Sequence, residues 1–325
     1  MGRFMLPALS LSLIAGCASR NQDLATPPTS TVEQAEMVPH SWLDVPYTFV
    51  SAGSTRLAVL DTGGDGPPIL LVHGLGSTSS FWQHQLTGQL TADYRLLAPD
   101  LPGWGRSDQP DGAYSPSWYA EHLVGLMDVL QIPKATVVGH SMGGQAAIAL
   151  ALANPERVER LILSAPAGVE TFTEPEAALL GNFWTEEKLR QRTPAQARAA
   201  FGFVFATWDE HTQRLLDERL AVDGTERFPG LARAVMRSVD GMLAEPVFDR
   251  LDQIQAPTLY IYGSSDAMIP NAGLHPQLSQ DDIAARARER IPDLTVVRLE
   301  GAGHTPHHDQ PMNFDAAVGA FLRGE

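Results

Sequence analysis

Residues 138–144 read VGHSMGG. A serine stands between glycines, directly after a run of β-formers and directly before an Ala-rich stretch of helical character, QAAIALALANPERV. Glycine is poor in both strand and helix, so three glycines at this junction mark a backbone that must turn sharply and pack closely. The pattern Gly139-His140-Ser141-Met142-Gly143 is the strand–turn–helix elbow that lifts a serine hydroxyl clear of a sheet. At a helix N-terminus, free N–H groups and the helix dipole favour negative charge beside that serine.

Outward from the elbow, short apolar runs alternate with helical patterns. PILLVHG, YRLLAPD, KATVVGH and VERLILSAP are apolar throughout, as strands buried on both faces must be. SSFWQHQLTGQL, SPSWYAEHLVGLMDVLQI and the Ala-rich stretch lie between them at helical period. Two earlier runs, YTFV and RLAVL, read as a hairpin. The alternation predicts an α/β fold with a mostly parallel, doubly wound sheet. It stops at residue 169 and resumes at APTLYIYG, so residues 169–254 predict an all-helical cap inserted into a core formed by 42–168 and 255–325.

A serine hydroxyl is a weak nucleophile and needs a base held by an acid. Ten histidines are present. His304 stands in the loop GAGHTPHHDQP after the last strand pattern, whereas His307 and His308 read as solvated or capping residues at the start of the final helix, and His73 and His140 belong to other motifs. Asp266 follows the strand TLYIYG, which sets the chain order Ser, Asp, His. Asp281 and Asp282 are alternatives that read as the N-terminal cap of DDIAARARERI, and Asp240 in the cap is a remoter one.

Taken in order, HGLGSTSSFW, DLPGWGRSD, GHSMGG, YGSSD and GAGHTPHHDQP resemble the α/β-hydrolases with a helical cap, from about residue 42 to the end. The resemblance implies Ser141 as nucleophile, His304 as base and Asp266 as orienting acid. It implies an oxyanion hole from the backbone N–H groups of Leu75 and Met142, and a scaffolding role for Asp100, Trp104 and Arg106. Serine at the elbow, where epoxide- and halide-processing members carry aspartate, points to carboxylic-ester hydrolysis through an acyl-enzyme, with no cofactor or metal. A carbon–carbon bond hydrolase of ring-cleavage diketones is the alternative; it would want a cationic carboxylate anchor, for which Arg190, Arg192, Arg198, Arg233 and Arg237 are available. A non-catalytic envelope protein is the third reading.

The cap is rich in Phe183, Trp184, Phe201, Phe203, Phe205, Trp208, Met236, Met242 and Phe248. FGFVFATW, read as helix, sets Phe201, Phe205 and Trp208 on one face and leaves Phe203 off it. These residues glue the cap or line an apolar pocket for a small or medium substrate.

The net charge of −15 argues against nucleic acid and against docking on anionic lipid through basic residues. The single cysteine, Cys17, allows no intrachain disulfide. It follows Arg3 and an apolar run too short to span a bilayer, the layout of a signal peptide over 1–16. IAGC resembles the lipobox of bacterial lipoproteins, which implies cleavage before Cys17, lipid on its thiol and a place in the cell envelope at the outer membrane, facing the periplasm or the exterior. Residues 17–41 are polar, rich in Thr, Pro, Gln and Ser, and read as a tether.

Overall fold

The computed structural model describes residues 40–325. The signal peptide, Cys17 and nearly all of the expected tether therefore lie outside the described residues.

Eight strands form one sheet: β1 Tyr47–Ala52, β2 Thr55–Asp61, β3 Pro68–Val72, β4 Arg95–Pro99, β5 Ala135–His140, β6 Val158–Ser164, β7 Thr258–Gly263 and β8 Leu294–Leu299. Their spatial order is β1-β2-β4-β3-β5-β6-β7-β8. The pairs β1–β2 and β2–β4 are antiparallel, and the rest are parallel. The expected fold class is thus observed. Alternation along each strand feeds two cores: Val137, Leu161 and Leu163 face one side of the sheet, Val138 and Ile162 the other. The helices Pro116–Val129 and Met142–Ala153 cover the first face, and Phe314 and Val318 of the last helix cover the second.

Between β6 and β7 the chain forms the helices Glu174–Phe183, Glu186–Gln191, Pro194–Phe201, Glu210–Leu220 and Phe228–Ala244, with no strand. Capping chemistry sets several of the boundaries. Thr173 and Thr193 open their helices with reciprocal capping boxes, and Asp209 accepts from the Thr212 N–H at 2.8 Å. The first two of these helices are separated at Trp184–Thr185, because Trp184 is extended and the Thr185 hydroxyl caps a new helix.

The expected helix over FGFVFATW is not formed: the helix stops at Phe201, and residues 202–208 are turns and bends. Tertiary bonds take the backbone groups that a helix would need. Thr305 Oγ1 donates to the Val204 carbonyl at 3.1 Å, and Asp309 accepts from the N–H groups of Ala206 and Thr207. Phe201 and Phe205 are nonetheless buried together with Phe81, while Phe203 points to solvent at 60% exposure.

Candidate active site

The carboxyl ends of the parallel strands converge on one edge, where open α/β sheets present their binding crevice. Ser141 sits at the tip of β5, with φ 52° and ψ −119°. A non-glycine residue there carries strain of about 1–3 kcal/mol, which surrounding contacts must offset. They do so from both neighbouring elements. Ser141 N–H donates to the Ser164 carbonyl on β6 at 3.1 Å. The Ser141 carbonyl accepts from Gly144, Gln145 and Ala167 N–H at 2.9, 3.2 and 3.0 Å. The glycines are sterically required: a Cβ on Gly139 would lie 2.4 Å from the Gly143 carbonyl oxygen, and one on Gly143 2.4 Å from the carbonyl oxygens of Val72 and His73.

His304 follows β8 and Asp266 follows β7. His304 Nδ1 and Asp266 Oδ2 are 2.9 Å apart, and both residues are buried. Asp266 Oδ1 accepts from Met268 and Ile269 N–H at 2.7 and 3.1 Å, which fixes the carboxylate's orientation. With Nδ1 facing that carboxylate, Nε2 is the ring nitrogen left for proton transfer. Ser141 and His304 line the same cavity of about 210 Å³. Leu75 lines it too, and Met142 opens the helix after Ser141, where an N–H has no intrahelical partner. The structure therefore brings Ser141, His304, Asp266, Leu75 and Met142 to one place.

Two further histidines hold this arrangement. His73 Nδ1–H donates to the Gly74 carbonyl at 2.9 Å, and its Nε2 accepts from Leu101 N–H at 3.0 Å, which pins the turn carrying Leu75. His140 Nε2–H donates to the main-chain carbonyl of His304 at 2.9 Å. Burial holds His140 neutral, well below the ordinary histidine range, with the nearby His304 adding to the effect.

The other candidates fall elsewhere. Asp282 closes a capping box with Ser279 at the start of Gln280–Arg290, Asp281 accepts from Tyr262 Oη, and Asp240 is exposed in the cap. Asp100 is buried and accepts from Ser79 N–H at 2.8 Å, Ser79 Oγ at 2.7 Å and Arg106 N–H at 2.8 Å, a scaffold for two loops. His307 and His308 correct the expectation: they are neither solvated nor in the final helix, but buried in a separate short helix, Pro306–Asp309. His307 stacks on Trp82 at 4.1 Å between ring centroids, and burial pushes His308 down to about 3. Packing of this segment against Trp82 and Phe205, which only the tertiary fold creates, draws them in.

Of the five cap arginines considered, Arg192 alone lines the cavity. Arg190 pairs with Glu186, Arg198 covers Trp208, Arg233 donates to the Gln109 carbonyl, and Arg237 pairs with Asp111. Sequence reasoning missed Arg219, which lines the cavity beside Arg192. Its side chain is only 9% exposed and pairs with Asp223 at 2.9 Å. Arg192 Nε is buried without a hydrogen-bond partner, and burial together with the Arg219 charge lowers the Arg192 pKa. Two arginines thus line a cavity whose apolar walls include Phe81, Trp184, Leu189, Phe201 and Met242, and only Arg219 has an ion-pair partner, Asp223. Sequence reasoning also passed over Glu170, which accepts from Asn271 N–H at 2.9 Å and contacts His275 at 2.6 Å, away from His304. Among the described residues no cluster of His, Cys, Asp and Glu has the geometry to hold a metal ion.

A family model described as the alpha/beta hydrolase fold matches residues 67–311. The chain belongs to this family. The protein is similar to the pimeloyl acyl-carrier-protein methyl ester esterase of Aeromonas salmonicida, with 32% identity over 80% of this chain and 96% of the relative. It is also similar to the 2-hydroxymuconate semialdehyde hydrolase of Pseudomonas sp. strain CF600, with 31% identity over 84% and 92%. Among solved structures, a thermophilic esterase from Thermogutta terrifontis shares 26% identity at a TM-score of 0.69, over 86% of this chain and 98% of that one. The protein is therefore a hydrolase of the alpha/beta fold that acts on small-molecule substrates.

Proposed function

We propose that the protein is a serine hydrolase of carboxylic esters, with Ser141 as nucleophile, His304 as general base and Asp266 as the acid that orients it. The observation that carries this reading is the buried His304–Asp266 contact of 2.9 Å beside a strained Ser141 in one cavity. Ser141 Oγ attacks the acyl carbon while His304 Nε2 takes its proton and returns it to the leaving alcohol. The N–H groups of Leu75 and Met142 face the developing oxyanion. Water then attacks the acyl-enzyme by the same proton route. Asp266 stays ionised and holds the imidazole in the productive tautomer.

The Arg192–Arg219 pair adds a second selection. A cavity lined by two arginines, one with a buried Nε that has no partner, favours a substrate that carries an anionic group away from its scissile bond. The same pair favours the second reading, carbon–carbon hydrolysis of a diketo acid, which needs such an anchor.

The deciding experiment is turnover of p-nitrophenyl esters, from acetate to palmitate, and of a vinylogous diketo acid, by wild type and Ser141→Ala. Ester hydrolysis that falls by about 10³-fold or more in the variant supports the reading. Turnover of the diketo acid alone moves the second reading to first place. A Ser141 that no fluorophosphonate labels in the folded protein sinks both.

Lipid attachment at Cys17 belongs to the same proposal and rests on Arg3, the apolar run and IAGC. Radiolabelled palmitate incorporated by wild type and not by Cys17→Ser is the expected result. Equal incorporation by both would remove the anchor and the envelope location with it.

A further inference from the structure

Glu218 lies on the cap helix Glu210–Leu220, next in sequence to Arg219, and lines a second cavity of about 450 Å³ between that helix, the N-terminal segment and the loops after β3 and β4. Its Oε1 accepts from Ser80 Oγ at 3.2 Å, and its Oε2 is buried without a hydrogen-bond partner. The direction of the bonding is set from the far side. His40 Nδ1 accepts from Trp42 and Leu43 N–H at 3.3 and 3.1 Å. Its Nε2 therefore carries the hydrogen and donates to Ser80 Oγ at 3.0 Å, which leaves the Ser80 hydrogen for Glu218. A chain of two hydrogen bonds runs from the N-terminal segment through the core to the cap.

The groups around Glu218 are of mixed sign. From the core, Asp100 and the Tyr47 phenol face it, with Arg106 from the loop after β4 and His40 from the N-terminal segment. Its own helix adds Arg214, Asp217 and Arg219 around the cavity. Burial holds His40 neutral, down to about 4. Nothing pairs Glu218 with a cation at ion-pair distance among the described residues.

We propose that Glu218 is a proton-operated catch that fastens the cap to the core, closed while its carboxyl is protonated against Ser80 and released when ionisation sets it against Asp100. Burial first, and then the Asp100 charge, push this carboxyl up from 4.5 to about 7 in the closed form. A released cap returns the carboxyl to water and to its ordinary value. The closed form therefore holds a proton that the released form lacks between pH 4.5 and about 7. Raising the pH through that window lowers the closed-to-released ratio, at most about tenfold per unit, and above it the ratio levels off. Release also moves Arg219, so the catch governs the roof of the catalytic cavity. The catch does not depend on which bond the enzyme cleaves.

The test is amide hydrogen exchange of residues 194–220 in the full chain, comparing wild type with Glu218→Gln at each pH so that intrinsic exchange rates cancel. Glutamine is neutral throughout. The wild-type-to-variant ratio of cap exchange should rise at least fivefold from pH 5.5 to pH 8.5, with residues 142–153 alike at both. A wild-type-to-variant ratio constant with pH overturns the catch, including the case where the variant cap is uniformly loose. Ser80→Ala removes the donor and should speed cap exchange at pH 5.5; unchanged exchange there overturns it as well.

Discussion

The two walls of the catalytic cavity are built differently. On the core side, the groups to which the proposed mechanism assigns chemistry are fixed by main-chain contacts. Ser141 is braced by β6 and its own helix, Asp266 by two N–H groups, and the His304 main chain by His140. The cap side is a set of separate helices with Leu179, Phe183 and Phe203 about 60% exposed, tied to the core by side-chain bonds such as Ser80–Glu218, Tyr119–Ser238 and Thr305–Val204. In the proposed mechanism, proton transfer and oxyanion stabilisation, which need placement to a fraction of an ångström, fall to the sheet edge. The same proposal leaves choice of substrate, which tolerates more movement, to the cap, where Arg192 and Arg219 line the cavity.

Breaking the core wall should have the largest effect. Asp266→Asn is expected to lower kcat by about 10⁴-fold through loss of the imidazole tautomer, with the far-ultraviolet circular dichroism spectrum unchanged. Asp281→Asn should stay within about twofold, because its partner is Tyr262 rather than His304. Equal losses would move the orienting acid away from Asp266. Gly143→Ala should reduce stability by about 3 kcal/mol in urea unfolding, since its Cβ meets backbone oxygens that cannot yield.

The cap wall should respond in KM instead. Arg219→Met is expected to raise KM for an ester bearing a carboxylate by about 10- to 100-fold and to leave neutral esters within about threefold. A uniform rise for both would make Arg219 a packing residue. Within the cap, Phe205→Ala should remove about 3 kcal/mol from its cluster with Phe81 and Phe201, and Phe203→Ala less than about 0.5 kcal/mol, read by thermal unfolding of each variant.

A further prediction concerns a buried carboxyl of the core, Asp315. Burial pushes Asp315 up from 3.8 to about 6, and Gln85 Nε2 donates to it at 3.0 Å. The folded state therefore binds a proton that the unfolded chain has lost in that window. Stability should fall as pH rises from 3.8 towards about 6 and flatten above it, by an amount of order 1 kcal/mol. Asp315→Asn should erase that slope in pH-dependent denaturation, and a slope that persists assigns it to another group.

The legible part of the site was the part carried by local backbone chemistry. The elbow around Ser141 needs glycines at fixed offsets, and the loops with Asp266 and His304 follow strands whose apolar runs stand out. Parallel pairing and the helical insertion were readable from the same periodicity. Arg219 was not, because an arginine on an amphipathic cap helix reads as solvated until the helix is packed. His307 and His308 misled for the same reason: their polarity suggests solvent, and only Trp82 and Phe205 arriving from distant segments bury them. The run Phe201–Trp208 kept its apolar pattern but not its helix, because Thr305 and Asp309 compete for its backbone.

By itself, then, the sequence determined the sheet, the strand-free helical stretch between β6 and β7, and the placement of Ser141, Asp266 and His304 after their strands, since these depend on period, turn chemistry and order along the chain. Tertiary structure alone decided which cap cations reach the cavity, which histidines lose their water and how Glu218 meets Asp100. Those outcomes depend on desolvation and on contacts between residues far apart in the chain, and no local pattern encodes them.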